Sequence, residues 1–262
     1  MSVAIITGAS RGLGRALAVE LVARGWAVVV DARDAGALRA AEADIGASVE
    51  EGDGGMATTA PGAGRPPAGA RVVALPGDVS DAGHRADLVA AAARLGGVDL
   101  LVNNASVLGP SPQPSLGAYP PDELRHVYDV NVVAPLALAA LALPHLRRAP
   151  SPRVINLTSD ASVEPYPGWG GYGSSKAALD HASAILAAEE PGIAVFALDP
   201  GDMRTQMHQE AFPGEDISDR PLPEAVVPAV VALVEGDRPS GRYRASDLLA
   251  AGGGPGGGGP GA

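Results

Sequence analysis

The chain has 262 residues, 46% of them apolar, which is enough to bury one sizeable core. A net charge of −11 makes nucleic acid and anionic membranes unfavourable partners, and the lack of cysteine excludes disulfides, thiolate catalysis and cysteine-bound metal. We expect a cytoplasmic protein, because the first residues lack a signal-peptide pattern and no apolar run is long enough to span a bilayer.

Short apolar runs alternate with stretches whose apolar residues recur at helical spacing, which predicts repeated strand–helix units. The predicted strands cover residues 3–6, 27–30, 72–75, 100–102, 154–157 and 193–198. The predicted helices cover residues 12–24, 34–45, 82–95, 121–147, 172–190 and 223–234. Because the strands are continuously apolar, they should be buried on both faces. The pattern predicts a single doubly wound, Rossmann-type α/β domain over residues 1–250, with a parallel sheet of about seven strands between helices.

Three stretches interrupt this regular pattern. The fourth predicted helix is expected to be bent or broken at Pro135 and Pro144. Residues 46–70 contain seven glycines and three prolines, which predicts a flexible insertion. Residues 251–262 consist of Gly, Pro and Ala alone, which predicts a disordered tail.

The turn after the first strand reads T-G-A-S-R-G-L-G over residues 7–14 and leads directly into a helix. Gly8 allows the tight turn, Gly12 lets the backbone approach a pyrophosphate, and Gly14 lets the helix pack close to the sheet. Three glycines alone could also mark an ordinary loop. The pattern T-G-x-x-x-G-x-G resembles the cofactor turn of the short-chain dehydrogenase/reductase family. This resemblance implies nicotinamide cofactor contacts from the other turn residues as well, namely Ser10, Arg11 and Leu13.

The end of the second strand bears on the choice of cofactor. In the family that the turn resembles, NAD-preferring members carry an acidic residue where this chain has Ala32. Arg33 follows it and Arg11 lies in the turn, so two guanidinium groups can bind a 2′-phosphate, which favours NADP(H). NAD(H) stays open, because Asp31 could reach the ribose if the strand end is bulged.

Later segments also resemble cofactor-binding segments of the family. Asp78 and Val79 follow the third strand, where the family contacts adenine. Asn104 and Ala105 belong to an N-N-A-S segment in which Ser106 replaces the family's glycine, a departure that would restrict the backbone near the nicotinamide ribose. The resemblance implies further cofactor contacts after the sixth strand, from Pro200, Gly201, Met203 and Thr205.

Reduction of a carbonyl group needs an acid, a group that lowers the pKa of that acid, and a donor to the carbonyl oxygen. Tyr172 and Lys176 lie one helical turn apart on one face, so we expect the ammonium to lower the pKa of the phenol. Ser159 lies thirteen residues before the tyrosine, at a strand end, and its hydroxyl would polarise the carbonyl. Each residue alone is common on protein surfaces. The resemblance implies that they form a catalytic tetrad with Asn131, whose carbonyl side holds a water linked to Lys176, and that Lys176 also binds the nicotinamide ribose.

The loops at the carboxyl ends of the strands are expected to determine the substrate. Their apolar residues predict a pocket for a small or medium ketone, aldehyde or diketone, lined by Tyr166, Trp169, Met203, Met207 and Phe212. The segment P-G-W-x-x-Y at residues 167–172 resembles the sepiapterin reductase branch of the family. That resemblance implies NADPH-dependent reduction of pteridine side-chain ketones and small dicarbonyls. Ala245 stands where that branch has its substrate-anchoring Asp, which puts pteridine reduction itself in doubt.

Two other functions stay open from the sequence. One is an NAD-dependent alcohol dehydrogenase with the same tetrad, and the other is a non-catalytic cofactor-sensing protein on the same fold. The five histidines show no ligand spacing, so we expect no metal. An apolar stripe on the helix at residues 172–190 favours a homodimer or homotetramer, although it would equally suit burial within one chain.

Overall fold

The computed structural model describes residues 1–47 and 71–252. Its strands are β1 (Val3–Ile6), β2 (Ala27–Ala32), β3 (Val72–Pro76), β4 (Leu100–Asn103), β5 (Arg153–Leu157), β6 (Ala194–Asp199) and β7 (Gly241–Arg244). They form one parallel sheet in the order β3-β2-β1-β4-β5-β6-β7. The order reverses between β1 and β4, and a sheet of this kind opens a binding crevice at the carboxyl ends of the strands beside that point.

Helices cover both faces of the sheet. They are α1 (Gly12–Ala23), α2 (Ala35–Ala47), α3 (Ala82–Leu95), α4 (Pro121–Tyr128), α5 (Ala134–Leu146), α6 (Gly170–Glu189), α7 (Gln206–Ala211), α8 (Val227–Glu235) and α9 (Ala245–Gly252). On β1, Ala4 and Ile6 belong to the core shared with α1, α2 and α8, whereas Val3 and Ile5 belong to the core shared with α3 and α5. This alternation produces the three-layer doubly wound fold and confirms the predicted fold class.

The predicted burial of every strand on both faces is correct for the centre of the sheet and wrong at its edge. All residues of β1, β2, β4 and β5 are buried. The residues of β3 are half-buried or exposed, because this edge strand has a neighbour on one side only. An apolar run in the sequence therefore does not distinguish an edge strand from a central one.

Several elements were not among the predicted ones. The strand β7 has the polar sequence G-R-Y-R, and α7 and α9 have six and eight residues, too short for a clear periodic pattern. The predicted boundaries of the insertion and of the tail lie too close to the N-terminus by two residues each. Gly46 and Ala47 belong to the last turn of α2, and residues 251–252 belong to the last turn of α9. The remainder of both stretches, residues 48–70 and 253–262, lies outside the described residues.

The fourth predicted helix, expected to be bent or broken at Pro135 and Pro144, is continuous through both prolines. Residues 121–146 form one helix in which a π turn (Asp129–Val133) joins α4 to α5. The wider turn accommodates Pro135, which has no N–H to donate. By length and composition this helix could cross a membrane, contrary to the sequence expectation. It packs against α3 and buries Leu138 and Leu146 in the core beside the sheet, as a core helix does.

Candidate active site

A cleft of about 1090 Å³ lies at the carboxyl ends of the strands. It brings together the residues that the sequence assigned to cofactor and substrate, with the exception of Gly14, which lies behind the turn. Of the four predicted catalytic residues, Ser159, Tyr172 and Lys176 line the cleft. Asn131 is buried behind its wall. Segments far apart in the sequence therefore meet where the fold class places a ligand.

The glycine-rich turn needs its glycines for two different reasons. Gly8 has a φ of +66°, and a Cβ atom there would lie 2.9 Å from the Cα atom of Ala105. A Cβ atom on Gly14 would lie 2.5 Å from the Nδ2 atom of Asn104 and 2.8 Å from the carbonyl oxygen of Gly8. The first position requires left-handed backbone and the second requires close packing, so neither tolerates a side chain.

Thr7 and Asn104 fix the turn to the neighbouring strand. The Nδ2 atom of Asn104 donates to the carbonyl oxygens of Thr7 and Gly8, at 2.8 and 3.0 Å. The hydroxyl oxygen of Thr7 accepts hydrogen bonds from the backbone N–H groups of Asn104 and Ala105, both at 3.0 Å. Asn104 therefore supports the turn in addition to lining the cleft, a role that the sequence did not indicate.

The N-terminus of α1 offers donors for an anion. No described side chain caps this end of the helix, and its first turn carries no acidic residue. Uncapped N–H groups at the start of a helix are the donor set that a pyrophosphate requires, so the residues fit a dinucleotide. Arg11 donates to the side chain of Gln206, whereas Arg33 is exposed and makes no hydrogen bond or ion pair within residues 1–47 and 71–252. Arg33 is therefore the cation that is available at the strand end.

The end of β2 has no bulge of the kind that the NAD(H) alternative required of Asp31. Pairing of β2 with β3 continues in register through Asp31 and Ala32, so no bulge turns the side chain. The carboxylate instead accepts a hydrogen bond from the N–H of Gly8 at 2.7 Å and lies 3.0 Å from Nε2 of His84. Asp31 is 1% exposed and is committed to the turn and to α3.

The predicted acid and its neighbours are in contact. Tyr172 and Ser159 both line the cleft, close enough for the Ser159 hydroxyl to act to lower the pKa of the phenol. The Nζ atom of Lys176 donates to the carbonyl oxygen of Leu157 at 2.7 Å and lies 5.5 Å from the centroid of the Tyr172 ring. The helical spacing of Tyr172 and Lys176 and the strand end that carries Ser159 thus produce the arrangement that the sequence predicted.

The pKa of Tyr172 does not shift in the expected direction. Burial raises this pKa above its ordinary value of 10, with smaller contributions in the same direction from Asp199 and Asp160, while the hydrogen bond from Ser159 opposes them. Burial also lowers the pKa of Lys176 to about 8. The expectation of a lowered tyrosine pKa was wrong because it considered the spacing of the ammonium but not the desolvation of the phenol.

Asn131 lies in the π turn and is 1% exposed. Its Nδ2 atom donates to the carbonyl oxygen of Val107 and to the hydroxyl of Ser175, at 2.9 and 3.0 Å. Its Oδ1 atom accepts from the N–H of Val107 at 2.9 Å and from the hydroxyl of Ser106 at 3.0 Å. Ser106, the departure from the family's glycine, thus holds the predicted catalytic asparagine.

An ion-pair network that the sequence did not indicate lies beneath the catalytic loops. Arg242 on β7 donates to the backbone carbonyl of Ser159 at 2.9 Å. The same guanidinium lies 3.0 Å from the carboxylate of Asp180 and 3.3 Å from that of Asp199. Asp199 in turn accepts from the N–H of Gly201 at 3.0 Å. One side chain therefore joins the loop after β5 to the loop after β6, and its strand was itself missed.

Aromatic side chains form one wall of the cleft. The Trp169 ring lies 5.8 Å from the rings of Tyr172 and Phe212 and 6.4 Å from that of Tyr166, centroid to centroid. Met207 lines the same cleft, and Met203 lines it while packing against the core of α1. The predicted substrate residues are thus brought together beside the predicted acid.

Thr205 caps a helix at the cleft. Its hydroxyl oxygen accepts from the N–H of His208, in the first turn of α7.

Among the described residues, no group of His, Asp or Glu side chains has the arrangement of a metal site.

Comparison with known proteins decides the family. The model of the short chain dehydrogenase family matches residues 2–216 of this chain. The chain belongs to the short-chain dehydrogenase family. It is accordingly an NAD(P)-dependent oxidoreductase, and the resemblance seen in its sequence is confirmed.

Two curated relatives have named activities. Sepiapterin reductase of Meriones unguiculatus is 34% identical over 220 residues, which cover 80% of this chain and 77% of that protein. An (S)-benzoin-forming benzil reductase of Saccharomyces cerevisiae is 35% identical over 159 residues, which cover 59% of this chain and 56% of that protein. Both names denote reductases.

Solved structures of the same fold cover nearly the whole chain. An alcohol dehydrogenase of Thermococcus sibiricus, complexed with 5-hydroxy-NADP, superposes with a TM-score of 0.76 at 26% identity and covers 93% of this chain and 95% of that one. An oxidoreductase of Escherichia coli superposes with a TM-score of 0.78 at 25% identity, covering 93% and 94%.

Proposed function

We propose that this protein catalyses the NADPH-dependent reduction of a small or medium carbonyl compound, a ketone, aldehyde or diketone, with Tyr172 as the general acid. The observation that carries the proposal is that Ser159, Tyr172 and Lys176 all line the cleft that also contains the glycine-rich turn, with the Nζ atom of Lys176 5.5 Å from the centroid of the Tyr172 ring. A phenol, an alcohol and an ammonium at one end of a dinucleotide-sized cleft match what carbonyl reduction requires.

The chain's own residues have distinct proposed roles. Bound NADPH supplies the hydride that the carbonyl carbon receives. Ser159 turns its hydroxyl proton from the carboxylate of Asp160 to the carbonyl oxygen, and Tyr172 transfers its own hydroxyl proton to that oxygen, so an alcohol is formed. The phenol of Tyr172 is protonated at neutral pH, so it has a proton to give in this direction. Lys176 binds the ribose and stabilises the tyrosinate that forms, and Asn131 positions the adjoining helix turn through Ser175.

Three observations support NADP(H) over NAD(H). Ala32 occupies the position where an acidic side chain would bind the ribose 2′-hydroxyl, and Arg33 next to it is exposed and unpaired within the described ranges. The carboxylate of Asp31 already accepts a hydrogen bond from the N–H of Gly8 and pairs with His84. The alcohol dehydrogenase of Thermococcus sibiricus, one of the solved structures with this fold, is complexed with an NADP derivative.

Measurement of NADPH and NADH oxidation by the purified protein tests the proposal. The panel contains ketones, aldehydes and α-diketones, and the reverse reaction is assayed with the corresponding alcohols. We expect reduction of diketones and aromatic ketones with NADPH. Faster oxidation of alcohols with NAD⁺ would favour the alternative dehydrogenase. Inactivity across the panel despite cofactor binding would favour a non-catalytic sensor.

We also propose a cytoplasmic location and a homodimer or homotetramer. The apolar stripe on α6 supports association, since Ile185 is 46% exposed on a helix that otherwise packs on the sheet. Light scattering of the purified protein measures the mass, and a monomer would refute the association.

A further inference from the structure

Asp160 is a carboxylate in the cleft that the proposed reaction does not use. It directly follows Ser159 and lines the cleft. Its Oδ1 atom accepts from the Ser159 hydroxyl and from the N–H of Ala161, both at 2.8 Å, and its Oδ2 atom accepts from the Tyr166 hydroxyl at 3.0 Å. The carboxylate is therefore held beside the hydroxyl that would contact the substrate oxygen.

Of the other carboxylates at this end of the cleft, Asp199 and Asp202 have cationic partners, whereas Glu210 accepts from the neutral side chain of Gln206. Asp199 lies 3.3 Å from the guanidinium of Arg242, and Asp202 lies 3.6 Å from that of Arg220. Asp160 makes no ion pair with any residue of the described ranges, and its three hydrogen-bond donors are neutral. Its negative charge is uncompensated, like that of Glu210, but Asp160 is the carboxylate that contacts the hydroxyl of Ser159.

Two cations that line the cleft, Lys176 and Arg204, do not pair with Asp160. Lys176 is buried and donates to Leu157. Arg204 is exposed and lowers the pKa of Asp216 outside the cleft. Neither forms an ion pair that would neutralise Asp160.

We propose that Asp160 determines the charge of the accepted substrate, so that neutral and cationic carbonyl compounds are reduced and anionic ones, such as α-keto acids, are rejected. This inference rests on the proposed function. A carbonyl oxygen that accepts from Ser159 brings the substituents of the carbonyl carbon close to Asp160. In a partly desolvated cleft, repulsion between two negative charges at that range amounts to roughly 10- to 100-fold in kcat/KM.

The test compares benzoylformate with its uncharged methyl ester in the wild type and in Asp160→Asn, so that differences between the two substrates other than their interaction with Asp160 cancel in the comparison. The amide of this variant would keep an acceptor for Ser159 and lose the charge. We expect the ratio of kcat/KM for the acid to that for the ester to rise by roughly 10- to 100-fold in the variant. An unchanged ratio overturns the inference.

Glu164→Gln is the matched control. Glu164 lies on the same loop and carries the same charge, but it is exposed and does not line the cleft. Its substitution is expected to leave the ratio within about threefold of the wild type, since exposed charges at a distance are screened. An equal rise in both variants would overturn the role of Asp160, because it would indicate a general effect of net charge.

A binding measurement on the NADP⁺-saturated protein separates this inference from the proposed function. Trp169 lines the cleft near Tyr166, so its fluorescence can report the binding of benzylamine and of benzoate. We expect the cation to bind at least about tenfold more tightly than the anion, and the preference to disappear in Asp160→Asn. Equal binding by the wild type overturns the inference. If the protein reduces no carbonyl compound, the proposed function fails and this titration still decides the charge preference.

Discussion

The carboxylate of Asp31 accepts a hydrogen bond from the backbone N–H of Gly8 at 2.7 Å, which ties the end of β2 to the cofactor turn. Asp31→Ala would leave that N–H and His84 without their partner. A buried polar group that loses its partner costs about 1–3 kcal/mol, so the free energy of unfolding should fall by that amount. Affinity for NADPH should fall by about tenfold, because the turn loses its support.

Asp31→Asn provides the control for that experiment. Its amide keeps an acceptor for Gly8 and a polar contact for His84, so most of the stability and affinity should be retained. Urea unfolding and NADPH fluorescence titration measure the two quantities. Wild-type NADPH affinity in Asp31→Ala would contradict the positioning role.

The pairing of His84 with Asp31 makes stability depend on pH. The hydrogen bond with Asp31 raises the pKa of His84 above its ordinary value of 6.5, and Asp87 and Asp81 add to this effect. A raised folded-state pKa stabilises the protein fully below about pH 6.5, and this stabilisation is lost as pH rises through the folded-state pKa. The free energy of unfolding should therefore decrease over that window in the wild type.

His84→Gln should make that decrease smaller, because glutamine does not titrate. Urea unfolding of both proteins at several pH values between about 5.5 and 8.5 provides the comparison. The same pH dependence in both proteins would show that other groups cause it.

Lys176 should set the alkaline limit of activity. Burial lowers its pKa to about 8, so the ammonium is present below that pH and is lost above it. We expect kcat/KM for reduction to be nearly constant below about pH 8 and to decline above it. A profile at saturating NADPH measures this, and Lys176→Met should lose most activity at every pH. Activity that rises steadily through pH 9 would contradict the role.

Arg33 should discriminate between the two nicotinamide cofactors. Hydrogen bonds to a charged group contribute about 1.5–3 kcal/mol, so Arg33→Ala should raise KM for NADPH by about 10- to 100-fold and leave KM for NADH nearly unchanged. Arg39→Ala is the matched control, since Arg39 is also an exposed cation of this region but does not line the cleft. An equal effect on both cofactors in Arg33→Ala would contradict recognition of the 2′-phosphate.

The local sequence was sufficient to predict those parts of the candidate site whose residues lie close together in the chain. The glycine-rich turn and the Tyr172 to Lys176 spacing each lie within eight residues, and the structure places both in the cleft. Short apolar runs likewise predicted six strands within two residues of their observed ends, because strands of a parallel sheet, the edge strand β3 included, are continuously apolar.

What the sequence did not reveal depends on partners that are distant in the chain. His84 lies 53 residues from Asp31, and Arg242 lies 83 residues from Ser159, on a short polar strand without an apolar pattern. The pKa of Tyr172 could not be predicted from helical spacing either, since burial by the surrounding elements is the largest cause of its shift. Tertiary packing determines these features, and no local pattern encodes them.

The most direct test of the account is the Tyr172→Phe variant, assayed for carbonyl reduction and for NADPH binding. The substitution removes the hydroxyl that lies beside Ser159 and keeps the ring that packs against Trp169. We predict that kcat falls by about 10²- to 10⁴-fold while the Kd for NADPH changes by less than about threefold. Wild-type turnover in this variant would contradict proton transfer by Tyr172 and, with it, the proposed function.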